Sequence, residues 1–267
     1  MRNTILQGLI ICFCIMIGWI AFNLNKGVES EVARTVNHQE TYVMGISADY
    51  PPFEYTENGK VKGFSIDLAR ALAQEMGFNL KIEDMDFSNI IPALQTGRIT
   101  FAISSIAPSE IRKQNISFSN PYYTNYLEMM MQGKDNAELI LKYDNKKIAA
   151  QIGSSMHQYL QDKQKKHPSL QVIALAKVPQ MVEELRLGRI DAILLDDRVA
   201  KSLIAKNPDF KSIKIDDYTG ENAIAFKKDS PLVDDFNEAL NKLRQTGIIA
   251  DLEKKWLHQG IEEGQQN

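Results

Sequence analysis

The chain has 267 residues, 44% of them hydrophobic and 24% charged, so it can bury a sizeable core without disulfide or metal staples. Its 31 basic and 34 acidic residues give a formal net charge of -3, which leaves no basic excess to track a phosphate backbone. No nucleic-acid partner is expected.

The first feature in chain order is an N-terminal apolar run. Arg2 precedes an almost wholly apolar stretch over 9–22, and polarity returns at Asn23, Asn25 and Lys26. A short basic start, an apolar run and a polar flank are the pattern of a secretory signal. Val28 and Ser30 supply small residues for cleavage after Ser30. Residues 1–30 are therefore read as a signal peptide. Counting Ile5 and Leu6 brings the run near the roughly 20 residues of a spanning helix, so an uncleaved anchor is the alternative. Cys12 and Cys14 both lie inside the run. A cleaved chain would carry no thiol, which excludes cysteine nucleophiles, disulfides and Cys-ligated metals. Cys12 and Phe13 are not the small residues that lipidation of Cys14 requires, so lipidation is not expected.

Beyond the leader, short apolar runs at 43–46, 80–82, 101–103, 148–152, 172–175 and 192–195 read as strands. Helix-period segments separate most of them, the first carrying Leu68, Leu72 and Met76 with Ala69 and Ala73. The alternation predicts an α/β architecture. One internal similarity sharpens this. Residues 94–103 (LQTGRITFAI) match 185–194 (LRLGRIDAIL), and each copy reads as a helix ended by glycine and followed by a buried strand. Pro92 and Pro179 are read as marking the start of each helix. Two lobes of like construction are expected, with ligand bound outside the carboxyl ends of the strands. The matched strands run into Ser104-Ser105 and into Asp196-Asp197, so a hydroxyl-rich turn would face a carboxylate across a cleft. That suits a ligand with opposite charges close together.

Near the C-terminus, Val233, Phe236, Leu240 and Leu243, then Ile249, Leu252 and Trp256 beyond Gly247, have amphipathic spacing and read as two core-packing helices. The tail past His258 is polar.

Several residues could carry chemistry. The turn Gly153-Ser154-Ser155, between a strand and a helix, can seat an anion on free backbone donors, or Ser154 can simply cap the helix. Arg112, one short helical turn beyond Ser105, could swing its planar fork back toward a carboxylate, or lie solvated on the surface. Asp196 could meet an ammonium or cap the next helix, and Asp197 competes for either role. Tyr50, Phe53 and Tyr55 cluster around Pro51-Pro52 and Phe87 opens another loop; these rings either grip a flat or cationic side chain or fill a lobe core. The four histidines do not gather, and no phosphate loop, G-x-S-x-G elbow or metal-ligand spacing is present. No cofactor and no metal are expected.

Together, Tyr50-Pro51-Pro52-Phe53-Glu54, Gly59-Lys60 with Gly63-Phe64-Ser65-Ile66-Asp67-Leu68, Phe118-Ser119-Asn120-Pro121-Tyr122-Tyr123 and the closing segment 247–256 resemble the polar amino-acid-binding proteins of ABC importers, bacterial solute-binding protein family 3, including its arginine and basic amino-acid-binding members. The resemblance runs from about 41 to 257. It implies a two-lobed, type II periplasmic-binding-protein-like fold crossed twice by the chain, near 128–131 and 222–225. Lobe 1 would be 41–128 plus 226–258 and lobe 2 would be 129–225. It further implies that Arg112 clamps a ligand α-carboxylate with help from Ser105 and Ser155, that Asp196 receives the α-ammonium, and that Tyr50 and Phe87 enclose the side chain; Ser104 and Ser154 complete the site. Departures from the family are Ala107 where many members have a hydroxyl, Ser47 where an acid or amide is frequent, and Leu195 before the aspartate. Asp49, Asp84 and Asp86 flank the aromatic positions and are read as solvated loop charges. The expected role is extracytoplasmic capture of arginine or another basic amino acid for the permease of an ABC importer, by a monomer that is not an enzyme. The alternatives are a binder of glutamine or another polar amino acid, and an exported enzyme on the same scaffold, such as a cyclohexadienyl dehydratase.

Overall fold

The computed structural model describes residues 39–258; the proposed signal segment and the tail past His258 lie outside the described residues. Each expected strand forms, with ends that differ by no more than two residues. In chain order the first half runs β1 (Thr41–Ile46), β2 (Asp49–Tyr50), β3 (Glu54–Glu57), β4 (Lys60–Lys62), α1 (Phe64–Met76), β5 (Asn79–Asp84), α2 (Phe87–Thr96), β6 (Phe101–Ala102) and α3 (Glu110–Lys113). The long strand β7 (Ile116–Gln132) leads to α4 (Ala137–Leu141), β8 (Lys147–Gln151), α5 (Ser155–Lys166), β9 (Gln171–Leu175), α6 (Val178–Arg186), β10 (Ala192–Asp196) and α7 (Asp197–Lys206). A second long strand, β11 (Phe210–Lys227), returns to α8 (Leu232–Gln245) and α9 (Ile248–Trp256). Among the described residues, no helix is long and apolar enough to cross a membrane.

One eight-stranded sheet has the order β5-β1-β6-β11-β7-β10-β8-β9. β1 is parallel to both β5 and β6, and β8 is parallel to both β9 and β10. Each half is thus a β-α-β-α-β unit whose first strand lies between the other two, and the two units flank the antiparallel pair β7–β11. The internal repeat read from the sequence sits in equivalent places, as α2 with β6 and as α6 with β10. Both helices give way to a left-handed glycine, Gly97 (φ 75°) and Gly188 (φ 67°). Pro179 stands in the first turn of α6, as expected. Pro92 does not: it lies inside α2, five residues after Phe87. The helix starts earlier than the proline suggests because Phe87 and Ile90 are drawn into the apolar cluster of Leu94, Ile99 and Ile116, and burial outweighs one missing backbone donor.

A small antiparallel sheet, β2-β3-β4, was not expected from the proline-rich turn. Its register sets Tyr50 opposite Glu54. Helix α1 follows Gly63, whose φ of 128° is open only to glycine and where an added Cβ would come within 2.2 Å of the Phe53 carbonyl oxygen. Gly63→Ala is therefore expected to lower the melting temperature by about 5 °C, equivalent to about 2 kcal/mol, in a calorimetric scan. An unchanged melting temperature would show that the turn relaxes freely.

Candidate functional site

The carboxyl ends of four strands converge. Ser47 follows β1, Ser104 and Ser105 follow β6, Gln151 ends β8 and Asp196 ends β10. In each half the first strand lies between its two successors, so these ends flank the crevice where strand order reverses. A small, partly open cavity of about 20 Å³ lies there, room for one water. Tyr50, Phe87, Ser104, Ser105, Ser154 and Ser155, six of the eight residues singled out from the sequence, line it. Ser154 and Ser155 also wall a larger groove of about 740 Å³ that is lined by Arg112, Gly153 and His157. Asp196 lies just behind Leu195, which faces the cavity.

Arg112 is carried by α3, a single turn capped by the Ser109 hydroxyl, which accepts from the Arg112 N–H. The side chain is 9% exposed, so it is not the solvated arginine that was the simpler reading. Its Nη1 donates to the Ala107 carbonyl at 2.8 Å and its Nη2 to the Gly153 carbonyl at 2.8 Å, which ties the two halves together. Its guanidinium carbon lies 5.7 Å from the Phe87 ring centre. Among the described residues no carboxylate pairs with it. Burial pulls its pKa down to about 10, the sign of a cation short of counter-charge.

Asp196 is fully buried. It stands at the N-cap position of α7, yet its carboxylate makes no cap bond. Asn125 Nδ2 donates to its Oδ1, and its Oδ2 has no partner among the described residues. Its backbone N–H donates to the Tyr50 hydroxyl at 3.1 Å. Burial, with the Asp197 charge added, pushes the carboxyl up to about 8. Asp197 Oδ2 is within ion-pair distance of Arg198 (3.3 Å) and Lys201 (3.5 Å), while its buried Oδ1 has no partner among the described residues.

Ser105 sits at φ 50°, an uncommon left-handed conformation for a residue with a side chain, and its buried hydroxyl has no partner among the described residues. Ser154 does cap α5, accepting from the His157 N–H at 3.1 Å. Tyr50 and Phe53 are buried and stack with ring centres 6.4 Å apart. Arg112 and Asp196 make no contact with each other; Phe87 and Tyr50 connect them to the cavity from either end.

Two cavity residues went unread in the sequence. Glu54 was noted only as part of the Pro-Pro-Phe-Glu pattern. It is 1% exposed, accepts from the Ser65 hydroxyl at 2.6 Å and the Ser104 hydroxyl at 3.2 Å, and burial raises its pKa well above the ordinary range. Recognition of the β2–β3 hairpin would have placed it on the Tyr50 face. Gln151 ends β8 among apolar neighbours and gave only a lone polar residue in an apolar run. Nor did the sequence offer a signal for Asn125, the partner of Asp196. The reading of Asp49 as a solvated charge is corrected: it is 9% exposed and fully engaged by hydrogen-bond donors. Asp86 is paired with Lys177 at 2.9 Å, and Asp84 accepts from the Ala48 N–H at 2.9 Å.

Two like β-α-β-α-β units, joined by a pair of long strands and meeting around a polar cavity at their strand ends, define a two-lobed α/β protein of the ligand-enclosing kind. Residues 42–259 match the family model described as bacterial extracellular solute-binding proteins, family 3, and the chain belongs to that family. The arginine-binding extracellular protein ArtP of Bacillus subtilis (strain 168) is 35% identical over 222 residues, covering 80% of this chain and 85% of that one. An ancestral arginine-binding protein bound to arginine is 32% identical with a TM-score of 0.77, over 82% of this chain and 98% of its own. An ancestral arginine-binding protein bound to glutamine, also 32% identical, has a TM-score of 0.76 over 82% and 99%.

Proposed function

We propose that this chain captures a free amino acid outside the cytoplasm, arginine first and another basic amino acid next, and delivers it to the membrane permease of an ABC importer. The observation that carries the reading is Arg112, a buried cation whose hydrogen bonds go to two backbone carbonyls and to no carboxylate. A ligand α-carboxylate supplies the missing counter-charge through two parallel bonds, assisted by the unpartnered Ser105 hydroxyl and by Ser155 at the N-terminus of α5. The free Oδ2 of Asp196 takes the α-ammonium. Tyr50 and Phe87 flank the side chain, with Ser104 and Ser154 completing the wall. Glu54 stands among these residues as a buried acid suited to a guanidinium.

In this reading lobe 1 is 41–128 plus 226–258, lobe 2 is 129–225, and the hinge lies in β7 and β11. The cavity is smaller than any amino acid, so capture starts with the lobes further apart. Export through residues 1–30 places the protein outside the cytoplasm.

Calorimetric titration of the full chain against the common amino acids tests this. Arginine is expected to bind at micromolar concentration or tighter. Micromolar glutamate binding with silence toward arginine would overturn the choice of side chain, and silence toward every amino acid would overturn the capture role. A second reading, glutamine, is favoured by the similarity to an ancestral protein with glutamine bound. Glu54→Gln separates the two, because it removes a carboxyl that can ionise against a guanidinium and leaves an amide partner. Arginine affinity is expected to fall by about tenfold or more while glutamine affinity holds.

A further inference from the structure

Helix α6 begins after Lys177, whose side chain carries no acceptor and makes no cap bond. The acceptor comes from 129 positions earlier: the Val178 N–H donates to Asp49 Oδ2 at 3.1 Å. The same carboxylate accepts from the Ser47 hydroxyl at 3.0 Å and from Gln151 Nε2 at 3.4 Å to each oxygen. Ser47 and Gln151 line the cavity from the ends of β1 and β8, in opposite halves of the sheet, whereas Asp49 itself does not line it. Gln151 Nε2 is further fixed by the Ala176 carbonyl at 3.0 Å. Asp49 sits in β2 of the first half, and its Val178 and Gln151 donors belong to the second half. Parting the halves would remove both donors from a nearly buried carboxylate and leave α6 uncapped.

We infer that Asp49 is a positioning residue of the capture site: it caps α6 across the cleft and holds Ser47 and Gln151 in place, so that part of the ligand affinity comes from a bond the ligand never touches. The inference rests on the capture reading. A contact made only in the closed arrangement raises apparent affinity by raising the closed population, and it does so for any ligand. It acts mainly on escape, because escape is the step that breaks it.

The test compares full-length wild type with Asp49→Ala, Asp49→Asn and Val178→Pro. Proline is tolerated at the first helical position and deletes the donor N–H, so this variant breaks the bond from the other half, while also replacing the buried Val178 side chain. Asp49→Ala and Val178→Pro are expected to weaken arginine binding by about tenfold, mostly through faster dissociation in stopped-flow competition. Asp49→Asn retains a capping oxygen and is expected to stay within about threefold of wild type. Amide hydrogen exchange reads the cap with arginine bound: at saturating arginine, Val178 is expected to exchange about tenfold faster in Asp49→Ala than in wild type, with the amides of α8 unchanged. Wild-type affinity in both bond-breaking variants, or unchanged Val178 exchange, overturns the inference. If wild type binds no amino acid, the capture reading fails by itself; if wild type binds and the bond-breaking variants match it, the inference alone fails.

Discussion

Arg112→Ala is expected to weaken amino-acid binding by at least about 100-fold. Truncating one member of a buried, hydrogen-bonded charge pair costs about 2–5 kcal/mol, much of it from stranding the other charge. Here the stranded group would be the ligand carboxylate, held against Phe87 and the turn at Ser154 and Ser155. The fold should tolerate the change. In the protein as it stands the guanidinium is buried without a carboxylate and its pKa has fallen to about 10, so removing it relieves a desolvated charge while losing its bonds to the Ala107 and Gly153 carbonyls. Titration calorimetry beside a thermal melt separates the two effects. Affinity unchanged from wild type would remove the carboxylate clamp from the proposed function. Lost affinity together with a collapsed melt would assign Arg112 to structure instead.

Asp196→Asn is expected to act in opposite directions on binding and on stability. The carboxyl is pushed up to about 8 from an ordinary 3.8, chiefly by burial. The folded chain therefore holds a proton that the unfolded chain has released between about pH 4 and 8. Stability falls as pH rises through that window and levels off above it. Asparagine removes this dependence, so the variant's ligand-free melting temperature at pH 8 should exceed that of wild type by about 3 °C or more, equivalent to about 1 kcal/mol. Binding moves the other way. A ligand ammonium favours the ionised carboxylate, so wild-type affinity should increase with pH from 6 to 8, with proton release visible as a buffer-dependent binding enthalpy. Asp196→Asn should lose both the pH dependence and about 2–5 kcal/mol of binding. A variant that binds as wild type does, with the same pH profile, would place the ammonium elsewhere.

The periodic features of this chain could be read without a structure. Alternating apolar runs gave the α/β class, and the paired glycine-ended helices at 94–103 and 185–194 pointed to two similar units, because burial on a sheet and a left-handed cap each leave a local pattern. Strand ends then directed attention to Ser104, Ser105 and Asp196. Pro92 shows the limit of such signals, since local helix rules place proline early and the packing of Phe87 and Ile90 carried the helix start further back. Asp49 and Glu54 show it more sharply. Both look like ordinary loop acids in sequence, and both are buried by partners that no local pattern names: Val178 and Gln151 for one, Ser65 and Ser104 for the other.

What the sequence determined by itself was the alternation of six short strands with helices, the duplicated unit, the family and half of the residues around the cavity, because each leaves a pattern readable along the chain. Only the tertiary structure decided which polar groups are desolvated and by whom they are met: Arg112 by two carbonyls, Asp196 by Asn125 and Tyr50, and Asp49 by an N–H from the opposite half. Charge state and hydrogen bonding depend on what folding brings within about 3 Å, and those contacts join residues up to 146 positions apart.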